Sequence, residues 1–276
     1  MPALELIAGQ NTDPADVLTA VTPLTGDSFT LRSSAEGAPV RLLQIFNAHG
    51  DQLNAHAVRT RVRSPLLHDN VQGISVQSGL AETASSNRNE GLLNPLARQR
   101  LTPQDTLTVE LAVSVLGGGG ICHAGLLVYY DDLPGVEGTF ITPEEVLARA
   151  VNFLTVENTI TALTDGQWGT AEAINAETDL LRANTPYAIL GYSAAVRASM
   201  VRYRATAWGN LGIGGPIDLT SPVATVRWFS DLSKEADIPL IPVFNSADRA
   251  NVLIDIATHA AGASVPIFTH LVQLSE

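Results

Sequence analysis

The sequence has a single cysteine, Cys122, and a single lysine, Lys234. One cysteine excludes an internal disulfide and any site built from several thiolates. Aromatic residues make up only 5% of the 276 positions, so stacking platforms for sugars or bases are scarce. No apolar run reaches the eighteen or so residues that a membrane span requires. Basic residues are outnumbered 16 to 28, and the net charge of -12 opposes general attraction to nucleic acid or anionic lipid. The opening stretch MPALELIAGQNTDPAD has an acid where a signal peptide has basic residues, and it has no apolar core. Synthesis in the cytoplasm without a signal peptide is therefore expected. What the chain does have is a 45% hydrophobic fraction, ample for a packed core.

The stretch LTVELAVSVLGGGGICHAGLLVYY, residues 107–130, holds four consecutive glycines between two apolar runs. A P-loop would follow its last glycine with Lys and Ser or Thr, but Gly120 is followed by Ile121 and Cys122. A dinucleotide site needs a helix opening at the glycines, whereas Gly125-Leu126-Leu127-Val128-Tyr129-Tyr130 is apolar and ends in a β-branched residue and two aromatics. The glycines read instead as a permissive turn in a hairpin of two strands, 106–116 and 121–130.

The chain reads as a tandem repeat. VLIDIATHAAGASVPIFTHLVQL, residues 252–274, aligns with the glycine-bearing stretch at an offset of 145, which places Glu110 on Asp255 and Gly117 on Gly262. Upstream, Ala57-Val58-Arg59-Thr60-Arg61 faces Met200-Val201-Arg202-Tyr203-Arg204, and Pro39–Ile45 faces Pro186–Tyr192. At the front, Asp13-Pro14-Ala15-Asp16 faces Thr142-Pro143-Glu144-Glu145. Both look like helix starts, with a capping side chain, proline at the first helical position and acids in the first turn.

Most segments have strand character. Strands are expected over 28–33, 40–47, 55–63 and 73–77, followed by the hairpin, and helices over 14–21, 94–101, 143–154 and 226–236. An Ala/Thr/Asp-rich stretch from Thr155 to Asn184 reads as a surface loop. The fold class is all-β: two tandem jelly-roll or β-sandwich units with a few short helices. The first unit spans 1–133, a Pro/Gly-punctuated linker 134–141, and the second unit 142–276.

No catalytic constellation emerges. His49, His56 and His68 lack the spacing of a cupin metal site, and His123, His259 and His270 have no partner at ligand spacing. Cys122 and His123 are strand neighbours and point to opposite faces. Glu110 and Asp255 alternate with apolar residues and read as outward positions on half-exposed strands. The most distinctive polar feature is a pair of arginine rows, Arg59/Arg61/Arg63 and Arg202/Arg204, one face of two alternating strands. They are candidates for ion pairing with strand acids such as Glu110 and Asp255, within the chain or across a subunit interface. Neither a cofactor nor a metal is expected, nor sequence-specific binding of nucleic acid.

Two β-rich units of similar size, a linker, helices at the front of each unit and no active site resemble the double jelly-roll major capsid proteins of tailless icosahedral viruses and phages. The resemblance is architectural and transfers no motif. It implies a structural virion protein that is not an enzyme and whose partners are copies of itself. Three chains would form a pseudo-hexameric capsomer of six jelly rolls, tiled into a shell, with contacts to other virion proteins. Tandem β-sandwiches also serve as capsid-decorating and carbohydrate-binding proteins. A glycan-binding role would use Trp168, Trp208 or Trp228, Trp228 being the best suited of these to core packing.

Overall fold

The computed structural model describes residues 1–276 except 13–15, 36, 50–57, 68–69, 78–90, 93–98, 114–119, 162–163, 165, 175–179, 195–197, 218–224 and 259–263. The strands of the amino-terminal half are β1 (Ala3–Thr12), β2 (Thr19–Ala20), β3 (Thr22–Pro23), β4 (Val40–His49), β5 (Val58–Arg63), β6 (Ile74–Gln77), β7 (Gly91–Leu92), β8 (Gln99–Leu101), β9 (Thr108–Val113) and β10 (Ile121–Tyr130). The remainder comprises β11 (Thr139–Ile141), α1 (Pro143–Arg149), β12 (Ala150–Ile160), β13 (Glu172–Ala173), β14 (Pro186–Ala194), β15 (Ala198–Arg204), β16 (Ile213–Pro216), α2 (Trp228–Ala236), β17 (Ile241–Asn245), β18 (Leu253–Thr258) and β19 (Val265–Leu274).

The strands form four antiparallel sheets, two per half, and the two halves share one strand order. In the first half β1-β10-β4-β8 lie side by side in one sheet, with β3 and β7 as short additions, and β2-β9-β5-β6 in the other. In the second half the corresponding orders are β12-β19-β14-β17, with β11 added at the edge, and β13-β18-β15-β16. Numbered along the chain, each half reads 1-8-3-6 over 2-7-4-5, the strand order of a jelly roll.

The sheets stack in the sequence β2 sheet, β1 sheet, β13 sheet, β12 sheet. The β1 sheet is therefore buried on both faces. Ile7, Ile45, Leu126 and Val128 pack with Val58, Val62, Val109 and Leu111 of the β2 sheet. Leu4, Leu6, Ala8, Phe46, Leu127 and Tyr129 join the core of the second half, with Met200 and Ile213. This double burial explains why β1 and β10 are apolar almost without interruption instead of alternating. Gly125 lies opposite Phe46, whose ring occupies the space a Cβ would need. The chain supplies a further backbone link between the halves, with the Leu6 N–H donating to the Gly212 carbonyl at 2.6 Å.

Several local expectations are corrected. Strands β9 and β10 do not form a hairpin; they belong to different sheets, as do β18 and β19, so each connection crosses the sandwich. Gly117 to Gly119 and Gly262 lie outside the described residues. In place of a helix over 14–21, Thr19–Ala20 is a strand paired with β9, and residues 14 and 15 lie outside the described residues. The helix-start match between Asp13-Pro14 and Thr142-Pro143 does not correspond to structure, because the first stretch follows β1 while the second precedes β12, the strand equivalent to β1. Helix α1 does form, with a capping box between Thr142 and Glu145, but it ends at Arg149. Beyond it Phe153, Thr155 and Val156 favour the extended chain and pair with β19. Residues 28–33 contribute a single bridge, Thr30 with Thr106. The end of the expected linker, Thr139–Ile141, is a strand paired with β17. The stretch read as a loop from Thr155 to Asn184 contains most of β12 and all of β13. For the helix expected over 94–101, Gln99–Leu101 is a strand and the rest lies outside the described residues.

Candidate functional site

The arginine rows and the two strand acids come together as two equivalent clamps. On the outer face of the β2 sheet Arg61 stands opposite Glu110, and its Nε donates to Oε2 at 2.6 Å. Arg63 donates to the same carboxylate through Nε and a terminal nitrogen, each at 3.0 Å. Among the described residues Arg59 reaches the Ser75 hydroxyl, at 3.2 Å, and it stays exposed. Burial pushes the Glu110 carboxyl upward, but the two guanidinium groups outweigh it and hold it below the ordinary carboxylate range. The Arg61 guanidinium is held above its usual value in turn by that hydrogen bond.

In the second half Arg202 stands opposite Asp255 and grips it bidentately at 2.9 and 2.8 Å, while Arg204 adds a bond of 3.0 Å. The structural equivalents are thus Arg61 with Arg202, Arg63 with Arg204, and Glu110 with Asp255. The alignment of Arg59 with Arg202 is displaced by two residues. Neither acid is half-exposed: Glu110 is 5% and Asp255 1% accessible, because the arginine stems and guanidinium groups cover them.

The two clamps differ in what lies above them. The first faces solvent, with Arg61 and Arg63 side chains 18% and 37% exposed. The second is roofed by the first jelly roll. Asp27, on the connection between β3 and β4, accepts from Arg202 at 2.7 Å, from the Trp168 indole N–H at 3.0 Å and from the Ala8 backbone N–H at 3.0 Å. The Arg202 guanidinium also lies 4.1 Å from the centre of the Trp168 ring, a cation–π contact. Burial pushes the Asp27 carboxyl up to about 6, against the pull of Arg202, Trp168 and Ala8 and with a smaller push from Asp255. A cavity of about 280 Å³ adjoins this cluster and is lined by Glu5, Arg32, Arg204 and Asn210 among others. Sequence reasoning missed Asp27 and named Trp168 only as a candidate for sugar binding. The one local sign was the polar turn Thr25-Gly26-Asp27-Ser28.

With its Nε and both terminal nitrogens engaged, Arg202 is a structural cross-link and not an anion receptor. The other sequence candidates do not converge on a site. His123 is fully buried. His270 lies between the Thr155 and Ser193 hydroxyls, at 3.1 and 3.2 Å, and burial pushes its pKa down. The His49 side chain and all of His56, His68 and His259 lie outside the described residues. Among the described residues no group of three or more His, Cys, Asp or Glu is placed to hold a metal ion. Trp168, Trp208 and Trp228 are 7%, 0% and 3% exposed, so none offers a face to a sugar. No described helix is long and apolar enough to cross a membrane.

No protein-family model and no curated protein matches the sequence. Among solved structures, the chain is similar to the extra small virus of the giant freshwater prawn Macrobrachium rosenbergii, seen as a virus-like particle, at 12% identity and a TM-score of 0.27, over 48% of this chain and 80% of that one. It is similar to PNGase F, a glycosylasparaginase from Flavobacterium meningosepticum, at 10% identity and 0.24, over 97% and 96%. The major capsid protein P2 of bacteriophage PM2 matches at 10% identity and 0.22, over 100% and 99%.

Proposed function

We propose that this chain is a self-assembling structural subunit of a virus-like shell. Three copies would close a ring of six jelly rolls that tiles into a capsid. The observation that carries this reading is the way the two jelly rolls meet. The β1 sheet of the first presents its outer face to the β13 sheet of the second, so unlike faces are joined. Such a head-to-tail contact leaves one unused face of each kind at the two ends of the chain, the β2 sheet and the β12 sheet. Heterologous contacts of this sort propagate until they close a ring or extend a filament. The reading assigns the chain no cofactor and no catalytic step, places it in the virion, and makes further copies its main partner.

Light scattering of the purified protein, with electron micrographs of the same sample, tests the proposal. Trimers, rings or shells are expected. A species that stays monomeric at high concentration would refute it.

A further inference from the structure

Of the eight exposed large apolar side chains among the described residues, five lie at those two unused ends, the others being Met1, Val17 and Leu180. Leu147, Val151 and Phe153 are 79%, 56% and 55% exposed, on α1 and the edge strand β12. Leu66 and Val71, 60% and 68% exposed, lie on the connection that leads into β6. An edge strand with bare apolar side chains is a pairing site unless something covers it.

The molecule already contains a covered version of each. The bulges of β4 and β14, at Leu43 and Leu190, put Leu127 on His270 and Tyr129 on Val272, and Phe153 pairs with Val272 as Leu4 pairs with Tyr129. Phe153 is therefore the counterpart of Leu4, which is fully buried, and Thr155 is the counterpart of Leu6, whose N–H donates to Gly212. On the receiving side Arg61 pairs with Ser75 as Arg202 pairs with Gly214, which makes Gly73 the counterpart of Gly212. Leu211, beside Gly212, is 1% exposed, and Met200, the counterpart of Arg59, is fully buried by the first jelly roll. Within one chain, then, the β1 edge is seated on the approach to β16. At the matching β12 edge Phe153 is 55% exposed, and on the matching approach to β6 Val71 is 68% exposed.

We infer that a second copy of this chain covers these side chains: the Leu147, Val151 and Phe153 surface of one copy seats against Leu66, Val71 and Gly73 of the next. The Thr155 N–H then meets the Gly73 carbonyl as Leu6 meets Gly212, with Phe153 seated as Leu4 is. The contact repeats between chains the one inside each chain. It rests on the self-assembly reading and adds to it the residues and polarity of the interface.

Two single variants and their mixture test it. Phe153→Asp disables one surface and Val71→Asp the other, and both change exposed side chains, so thermal melting should match the parent protein. Each is expected to weaken association at least about a hundredfold, the effect of setting a carboxylate into an apolar contact. Because each variant keeps the surface the other has lost, an equimolar mixture should give a two-chain species and nothing larger. If the parent assembles and both variants assemble equally well, the inference fails while the shell reading stands. It fails also if Phe153→Asp alone blocks assembly, since that marks a symmetric β12 contact. A parent protein that never associates removes both readings.

Discussion

Arg202 and Asp27 belong to different jelly rolls, yet a guanidinium nitrogen and a carboxylate oxygen lie 2.7 Å apart with both side chains about 6–7% exposed. The same guanidinium holds Asp255 on the neighbouring strand. One positive charge thus serves two buried acids, one from each half of the molecule. Its cost of desolvation is offset only while every partner is in place.

Replacing Arg202 with methionine would leave Asp27 and Asp255 buried without their shared cation. A loss of about 3–5 kcal/mol is expected, the usual result of breaking a buried pair from one side. Urea denaturation followed by circular dichroism measures it. Lysine at the same position should rescue little, because a single ammonium cannot grip Asp255 bidentately while reaching Asp27.

The raised pKa of Asp27 gives stability a distinctive pH dependence. Its folded value of about 6 lies above the ordinary 3.8, so the folded state takes up a proton that the unfolded chain has released. The contribution is complete below the ordinary value and is lost as pH rises through about 6. Compared with Asp27→Asn, the parent protein should gain about 1 kcal/mol on going from pH 7.5 to pH 5. Glu110, whose pKa is lowered, acts in the opposite sense and only at more acidic pH, where its stabilisation fades as pH falls through its depressed value. Paired denaturation curves at the two pH values isolate the Asp27 effect.

The two clamps should respond unequally to the same change. Asp255→Asn takes the bidentate partner from a guanidinium that is 6% exposed and leaves it Asp27 alone, whereas Glu110→Gln leaves arginines that water still reaches. The first is expected to cost about 3 kcal/mol or more and the second about 1 kcal/mol. Equal costs would show that the roof over the second clamp contributes nothing.

Gly125→Val should destabilise the protein by about 3 kcal/mol or more, since the new side chain must displace the Phe46 ring from the core shared by both halves. Leu6→Ala, in the same core, should cost about 2–5 kcal/mol. Thermal melting of both variants is the check.

The all-β class was readable from the strand-forming segments, and the match of Glu110 with Asp255 pointed to two acids that each stand opposite an arginine. The start of α1 was readable too, because Thr142, Pro143 and Glu145 act locally. What escaped was non-local. Asp27 meets Trp168 and Arg202 only after the two jelly rolls stack, and no neighbouring residue announces either contact. The arginine rows were matched two residues out of register because a shift of two keeps every side chain on its own face and leaves the alternation unchanged. The glycine runs signal a change of direction, but the same signal serves a strand that returns beside its predecessor and one that crosses to the opposite sheet. Trp168 sat in a polar stretch that read as a loop, and only its bridge to Ala257 reveals that it lies against the sheet.

The mass of the unmodified protein in solution, taken by light scattering over a wide concentration range, bears most directly on whether unlike faces of successive copies join. A particle of three times 29.2 kDa, or a larger multiple of it, is the expected result. A constant 29.2 kDa at every concentration would contradict it.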